Sequence, residues 1–165
     1  MPKISQIASD ISVAGALGSE DFKQLSSLGF KTVISFLPDR EAASFNAEQA
    51  GTAAAGAGLH YVSIPAAKHE VFTDAVVSAA TVALSTAQAP VLAYCSSGQR
   101  ALIIWAAAQA RQKSVSAILK QIKSAGFDFD FLRDDLEAQA DRATWNSESK
   151  LPASSAYLET LSARA

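Results

Sequence analysis

Short apolar runs alternate with longer amphipathic segments along most of this chain. The runs at residues 10–15, 31–37, 61–64 and 90–94 predict β-strands, because each is short and apolar and three of them have a proline at one border. Such near-continuous apolar character is typical of strands that are covered on both faces of a sheet.

Helical segments separate these strands. Residues 20–28, 41–55 and 73–87 predict helices, with Ser19 and Thr73 suited to cap the first and the third. The alternation predicts an α/β fold, in which a central, largely parallel sheet is flanked by helices on both faces. In such sheets ligands bind beyond the carboxyl ends of the strands.

The chain beyond residue 100 is predicted to be helical. Residues 101–112 begin with eight apolar residues in a row, which indicates a centrally packed helix, and residues 115–125 and 131–143 predict two amphipathic helices. Residues 145–165 are polar and rich in serine and alanine. We therefore predict a single domain over residues 1–144 and a polar C-terminal tail over 145–165, with a short helix near residues 156–161.

Composition excludes several classes of protein. Hydrophobic residues make up 49% of the 165 and charged residues 18%, which is typical of a globular domain. The net charge is −2, and with no basic run we expect no nucleic-acid partner. No apolar stretch approaches the roughly 20 residues of a membrane span, and the first residues lack the apolar core of a secretory signal. We expect a cytoplasmic protein with no membrane partner; the oligomeric state is left open.

The segment from Cys95 to Arg100 carries the candidate chemistry. It lies between the last predicted strand and the apolar helix, so several backbone N–H groups and the helix dipole meet at one point and favour an anion. The same field favours a thiolate, the nucleophilic form of cysteine, and an arginine can bind two oxygens of a phosphate or sulfate at once. The predicted catalytic residues are Cys95 and Arg100, and the predicted phosphate-binding residues are Ser96, Ser97, Gly98, Gln99 and Arg100.

The ordinary alternative is a small buried cysteine beside a solvated arginine. That alternative does not explain why both residues stand at a strand-to-helix junction. Metal chemistry is not indicated, because His60 and His69 are the only histidines and there is no second cysteine. We expect no metal and no cofactor.

Five segments of the chain, in order, resemble a bacterial family of phosphatase-like domains. This is the beta-lactamase-hydrolase-like or DUF442 family, which is related to the dual-specificity protein tyrosine phosphatases. The matching segments are residues 19–22, 29–34, 37–41, 58–65 and 90–100. The resemblance implies a cysteine-phosphatase-like fold, attack of Cys95 on phosphorus to give a phosphocysteine, and phosphoryl oxygens bound by Arg100. It also implies a phosphorylated small molecule or a phosphoprotein as substrate.

The chain departs from the common tyrosine-phosphatase loop, His-Cys-x5-Arg followed by Ser or Thr, at three places. Tyr94 replaces the histidine, four residues rather than five separate Cys95 from Arg100, and Ala101 replaces the hydroxyl residue. The missing hydroxyl predicts slow turnover of a phosphocysteine. The shorter loop also occurs in rhodanese-type sulfurtransferases, so a persulfide carried on Cys95 is an alternative function. A non-catalytic anion-binding module is another.

A phosphatase also needs an acid to protonate the leaving oxygen. Asp39 is the predicted acid, because its loop should open at the same sheet edge as Cys95, and His69 and Glu70 are the reserves. Asp39 after Pro38 is equally compatible with ordinary turn chemistry.

Overall fold

The computed structural model describes residues 1–150, with the side chains of residues 1–144. Its elements are, in chain order, β1 (Ile4–Ala8), β2 (Ile11–Ala14), α1 (Asp21–Ser27), β3 (Thr32–Ser35), α2 (Ala47–Gly56), β4 (His60–Ser63), α3 (Asp74–Thr86), β5 (Val91–Tyr94), α4 (Gln99–Ala110), α5 (Val115–Ser124) and α6 (Arg133–Lys150). Single 3-10 turns cover Asp39–Glu41, Lys68–Glu70 and Asp130–Leu132.

The five strands form one sheet in the order β1-β2-β5-β3-β4. β2, β5, β3 and β4 run parallel, and β1 pairs antiparallel with β2 at the edge. The prediction of a largely parallel α/β sheet is confirmed. The sequence pattern missed β1, because polar residues interrupt this edge strand.

Helices cover both faces of the sheet, and β5 supplies side chains to both. Val91, Ala93 and Cys95 belong to the larger core cluster, whose helical residues come from α3, α4, α5 and α6. Leu92 and Tyr94 belong to the second cluster, which includes residues of α1 and α2. This alternation follows from the twofold side-chain period of a strand. It places Cys95 and Tyr94 on opposite faces.

α4 is the central helix of the larger layer. Nine of its twelve residues are buried, and it packs against α3, α5, α6 and the sheet. The prediction of a centrally packed helix after Arg100 is confirmed. A helix held on so many sides fixes the loop at its N-terminus.

Two helix starts differ from the predictions. Ser19 does not cap α1; Glu20 stands at the cap position, and Asp21 accepts a hydrogen bond from the Gly18 amide at 2.7 Å. α2 starts at Ala47 rather than at residue 41, because Asn46 and Gln49 form a reciprocal capping box. Thr73 does cap α3, accepting from the Val76 amide at 3.4 Å.

The C-terminal segment is only partly described. α6 continues to Lys150, and the remainder of the predicted tail, with its short helix near residues 156–161, lies outside the described residues. The boundary after residue 144 stays a prediction. Among the described residues, no helix combines the length and the apolar character needed to cross a bilayer.

Candidate active site

The Cys95–Arg100 segment lies at the carboxyl end of β5, which is the middle strand of the sheet. β5 ends at Tyr94 and α4 begins at Gln99, so four residues make the whole connection. Gly98 stands at the N-cap of α4 with φ of +91°, in the left-handed region that favours glycine. The strand–loop–helix arrangement that the sequence predicted is therefore present.

The Cys95 side chain is fully buried at the foot of this loop. Its Sγ accepts a hydrogen bond from the Gly98 amide at 3.1 Å. The N-terminus of α4 lies directly beyond that amide. An N–H aimed at sulfur stabilises a thiolate, which accepts hydrogen bonds far better than a thiol does.

The loop is also held against the end of β2. A Cβ added to Gly98 would lie 3.2 Å from the carbonyl carbon of Ala14, and one added to Gly15 would lie 3.2 Å from the oxygen of Ser96. The Ala16 amide donates to that same oxygen at 3.3 Å. A side chain at either glycine would therefore be in tighter contact than usual with the facing backbone.

Arg100 is buried, with a side chain only 6% exposed. Its Nη1 donates to the Ala66 carbonyl at 2.8 Å and to Oε2 of Glu41 at 3.2 Å, and its Nη2 donates to Oε1 of Glu41 at 3.0 Å. The expectation that the loops after β3 and β5 meet is thus fulfilled through Glu41. The pairing with Arg100 holds the pKa of Glu41 below its usual value of 4.5.

One edge of the Arg100 guanidinium is not used by Glu41 or Ala66. A guanidinium has five N–H donors, and three of them are used by Glu41 and Ala66. Nε is buried and has no hydrogen-bond partner among the described residues. The remaining donors, on Nε and Nη2, lie side by side, the arrangement that binds two oxygens of one oxyanion.

Arg100 lines a surface cavity of about 420 Å³. Its wall combines polar groups of the Cys95–Arg100 loop with one further cation and two apolar side chains: Lys68, Val71, Ser96, Ser97, Gln99, Arg100 and Ile103. Four of the five predicted phosphate-binding residues therefore share one cavity. It is large enough for a phosphate together with part of the group that carries it.

The three candidates for the acid lie in two 3-10 turns. Asp39 is exposed, and its Oδ1 accepts a hydrogen bond from the Ala47 amide at 2.9 Å. His69 is exposed beside Lys68, whereas Oε1 of Glu70 accepts from the Ala67 amide at 2.9 Å. None of the three lines the cavity. Their catalytic roles stay predictions.

The contact of Glu41 with Arg100 is not predicted by the sequence. The residue was visible in the charged segment after β3, but a lone glutamate in a turn gives no signal that it will contact an arginine 59 positions later. Only the parallel pairing of β3 with β5 brings the two loops together.

Tyr94, which replaces the histidine of the common loop, is buried with its hydroxyl 3.4 Å from that of Tyr61. Burial raises its pKa well above the usual 10, so the hydroxyl stays neutral. Because Tyr94 and Cys95 lie on opposite faces of the sheet, this substitution does not place a titrating group beside the thiol.

Known proteins are similar to this chain in sequence and in architecture. Residues 3–112 match the family model for the phosphatase-like domain of beta-lactamase hydrolase-like proteins. A beta-lactamase hydrolase-like protein of Agrobacterium fabrum is 33% identical over 129 residues, 76% of this chain but only 30% of that protein. The chain thus spans less than a third of that relative's length.

Solved structures of phosphatase-like proteins have the same fold. A proposed phosphatase of Neisseria meningitidis superimposes with a TM-score of 0.69 at 26% identity, covering 82% of this chain and 97% of that one. A cysteine-to-serine variant of P. aeruginosa TpbA, in complex with pTyr, gives a TM-score of 0.57 at 18% identity over 86% of this chain and 90% of its own. The cysteine-phosphatase-like fold expected from the sequence is confirmed.

Proposed function

Because the chain belongs to the family of phosphatase-like domains found in beta-lactamase hydrolase-like proteins, we propose that it is a cysteine-dependent phosphatase of phosphate esters. The free Nε edge of the buried Arg100 carries this proposal. A buried donor pair of that geometry suits an oxyanion, and the loop that leads to Arg100 begins at Cys95, whose sulfur accepts the Gly98 N–H.

In the first step the Cys95 thiolate attacks phosphorus and the bond from phosphorus to the ester oxygen breaks. The electron pair of that bond leaves on the oxygen, which takes a proton from the acid, for which Asp39 is the candidate. Arg100 and the amides of Ser96, Ser97 and Gln99 hold the three other oxygens, while the Gly98 amide stays on the sulfur. The product is a phosphocysteine and a free alcohol or phenol.

In the second step water gives a proton to the carboxylate that the first step left on the acid and attacks phosphorus, the P–S bond breaks, and the thiolate of Cys95 is released with inorganic phosphate. Common loops provide a hydroxyl after the arginine to stabilise this leaving thiolate. Here the position is Ala101, which is fully buried, so the Gly98 N–H at 3.1 Å is the hydrogen bond left for the sulfur. Hydrolysis of the phosphocysteine is therefore the slow step.

The cavity and the neighbours support the proposed substrate class. A wall with Val71 and Ile103 beside the anion donors accommodates an apolar or aromatic group on the phosphate. The likeness to TpbA with pTyr supports a phosphorylated small molecule or a phosphoprotein. Lys68 adds a cation for a second acidic group.

The deciding experiment compares the wild type with Cys95→Ser in two assays, phosphate release from p-nitrophenyl phosphate and thiocyanate formation from thiosulfate and cyanide. We expect phosphate release that depends on Cys95, together with a phosphoryl adduct on Cys95 in acid-quenched protein analysed by mass spectrometry. Thiocyanate formation alone, dependent on Cys95, would make the protein a sulfurtransferase, as the four-residue spacing to Arg100 allows. If neither assay shows activity, the remaining interpretation is a non-catalytic anion-binding module.

A further inference from the structure

We propose that Glu41 is the positioning residue of this site: it orients Arg100 so that the Nε edge of the guanidinium is presented to the oxyanion. This inference rests on the proposed function and adds a residue to it. Glu41 does not touch the substrate. It acts through Arg100.

The donors of Arg100 divide into three edges with three different roles. The end edge, with one N–H on Nη1 and one on Nη2, is taken by the two oxygens of Glu41 at 3.2 and 3.0 Å. The second N–H of Nη1 donates to Ala66 at 2.8 Å. Two partners on different edges fix the plane and the rotation of the guanidinium, so its third edge has one orientation before any ligand arrives.

The two partners come from different connections. Glu41 belongs to the turn after β3 and Ala66 to the segment after β4, whereas Arg100 lies in the first turn of α4. Three connections at the carboxyl ends of three strands therefore converge on one side chain. A shift of any of them would rotate the donor edge away from the anion.

Charge balance supports the same role. Glu41 compensates the charge of Arg100, and the pairing keeps the pKa of Glu41 low. The two side chains together are therefore neutral, and their orientation is fixed. Lys68 is the remaining cation in the cavity wall. Arg100 thus contributes geometry, and Lys68 contributes net attraction for an anion.

The opposite role would be that of an internal competitor, a carboxylate that occupies the place of the phosphate. The edge of the Arg100 guanidinium that the carboxylate occupies distinguishes the two roles. A competitor would sit on the Nε edge, whereas Glu41 occupies the end edge and leaves Nε without a partner among the described residues.

The test measures inorganic phosphate and tungstate binding by calorimetry in the Cys95→Ser background, where no turnover occurs. We expect Glu41→Ala and the isosteric Glu41→Gln to weaken oxyanion affinity by about ten- to a hundredfold, the range for charge-assisted hydrogen bonds. Glu48→Ala, which removes an equal charge from an exposed site on α2, serves as the control and should leave the affinity within twofold.

Coupling to Arg100 separates positioning from a general structural role. In an Arg100→Lys background, the Glu41 substitutions should cause no further loss, because an ammonium is a point charge with no edge to orient. In the Cys95 enzyme, Glu41→Gln should raise KM and lower kcat together, and thermal unfolding should show that each variant is folded.

Tighter or unchanged oxyanion binding in both Glu41 variants would overturn the inference, as would an equal loss in the Arg100→Lys background. Failure of the proposed function looks different: phosphate would bind, and Glu41 would matter for binding, while no ester is hydrolysed. A Cys95→Ser protein that binds neither phosphate nor tungstate would overturn both proposals.

Discussion

The amide of Gly98 donates to Sγ of Cys95 across 3.1 Å, from a left-handed backbone conformation that favours glycine. Gly98 has a φ of +91°, and a Cβ there would lie 3.2 and 3.3 Å from the carbonyl carbon and oxygen of Ala14. The contacted atoms are backbone of β2 and cannot move aside as a side chain would. The nucleophile therefore depends on close contact between its own loop and the neighbouring strand.

Gly98→Ala should for this reason remove activity and stability together. The left-handed φ and the contact with Ala14 should lower the free energy of unfolding by about 2–4 kcal/mol. Displacement of the Gly98 N–H from sulfur should lower Cys95-dependent phosphate release at least tenfold, in the range of a lost charge-assisted hydrogen bond. Urea unfolding and the aryl phosphatase assay check the two effects.

Gly126→Ala is the matched control. Gly126 has a φ of +97° and nothing within 4 Å of a built Cβ, so the substitution carries the backbone strain without the contact. We expect a loss of about 1 kcal/mol in stability and unchanged activity. Equal effects at the two glycines would show that the approach to Ala14 does not matter.

The sequence predicted the layers of this fold better than its edges and turns. Strands such as Val91–Tyr94 are apolar on both faces, and that pattern alone indicates a parallel sheet under two helical layers. β1 is an edge strand in which Ser5 and Gln6 interrupt the apolar pattern. The start of α2 is set by the reciprocal hydrogen bonds between Asn46 and Gln49. The alanine-rich pattern begins several residues earlier, so it predicted a start that was too early.

The candidate site was predicted in part, for a similar reason. Cys95 and Arg100 are close in sequence and follow a strand, so local spacing places both at one strand-to-helix junction. Glu41 and Ala66 reach Arg100 only through the order of β5, β3 and β4 in the sheet. Strand order is a long-range property that a strand–helix alternation does not determine.

Ala101→Ser should speed the second chemical step. A hydroxyl at this fully buried position in the first turn of α4 would add a donor for the departing thiolate of Cys95. If phosphocysteine hydrolysis limits turnover, kcat should rise about two- to tenfold, the value of one hydrogen bond, and the pre-steady-state burst should shrink. Stopped-flow release of p-nitrophenol measures both.

Ala106→Ser, equally buried in the same helix, controls for the cost of placing a hydroxyl in the core. It should lower stability by about 1 kcal/mol and leave the burst unchanged. A burst that is equally large in wild type and Ala101→Ser would mean that the hydroxyl does not assist the thiolate.

Asp39→Asn tests the predicted acid while preserving the turn, since the amide oxygen can still accept from Ala47 N. Loss of a general acid should lower kcat/KM for phenyl phosphate by about 10²–10⁴-fold. The loss should be much smaller for p-nitrophenyl phosphate, whose leaving group needs little protonation. Equal losses on both substrates would contradict the assignment; His69→Gln and Glu70→Gln, measured in the same way, would then show whether a reserve residue is the acid.

The Glu41–Arg100 pair gives stability a defined pH dependence. Because Arg100 lowers the pKa of Glu41 in the folded protein, the ionised carboxylate stabilises the fold. That stabilisation is fully present above the unfolded value of 4.5 and is lost as pH falls through the lowered pKa of the folded state.

At pH 7, Glu41→Gln should therefore be less stable than the wild type by about 1–3 kcal/mol, since it leaves a buried guanidinium without its counter-charge. The gap between the two urea-unfolding free energies should stay constant from pH 7 to 5 and narrow only in more acidic solution, whereas Glu48→Gln should show no such gap. A gap that is already closed at pH 5 would contradict the pairing of Glu41 with Arg100 in solution.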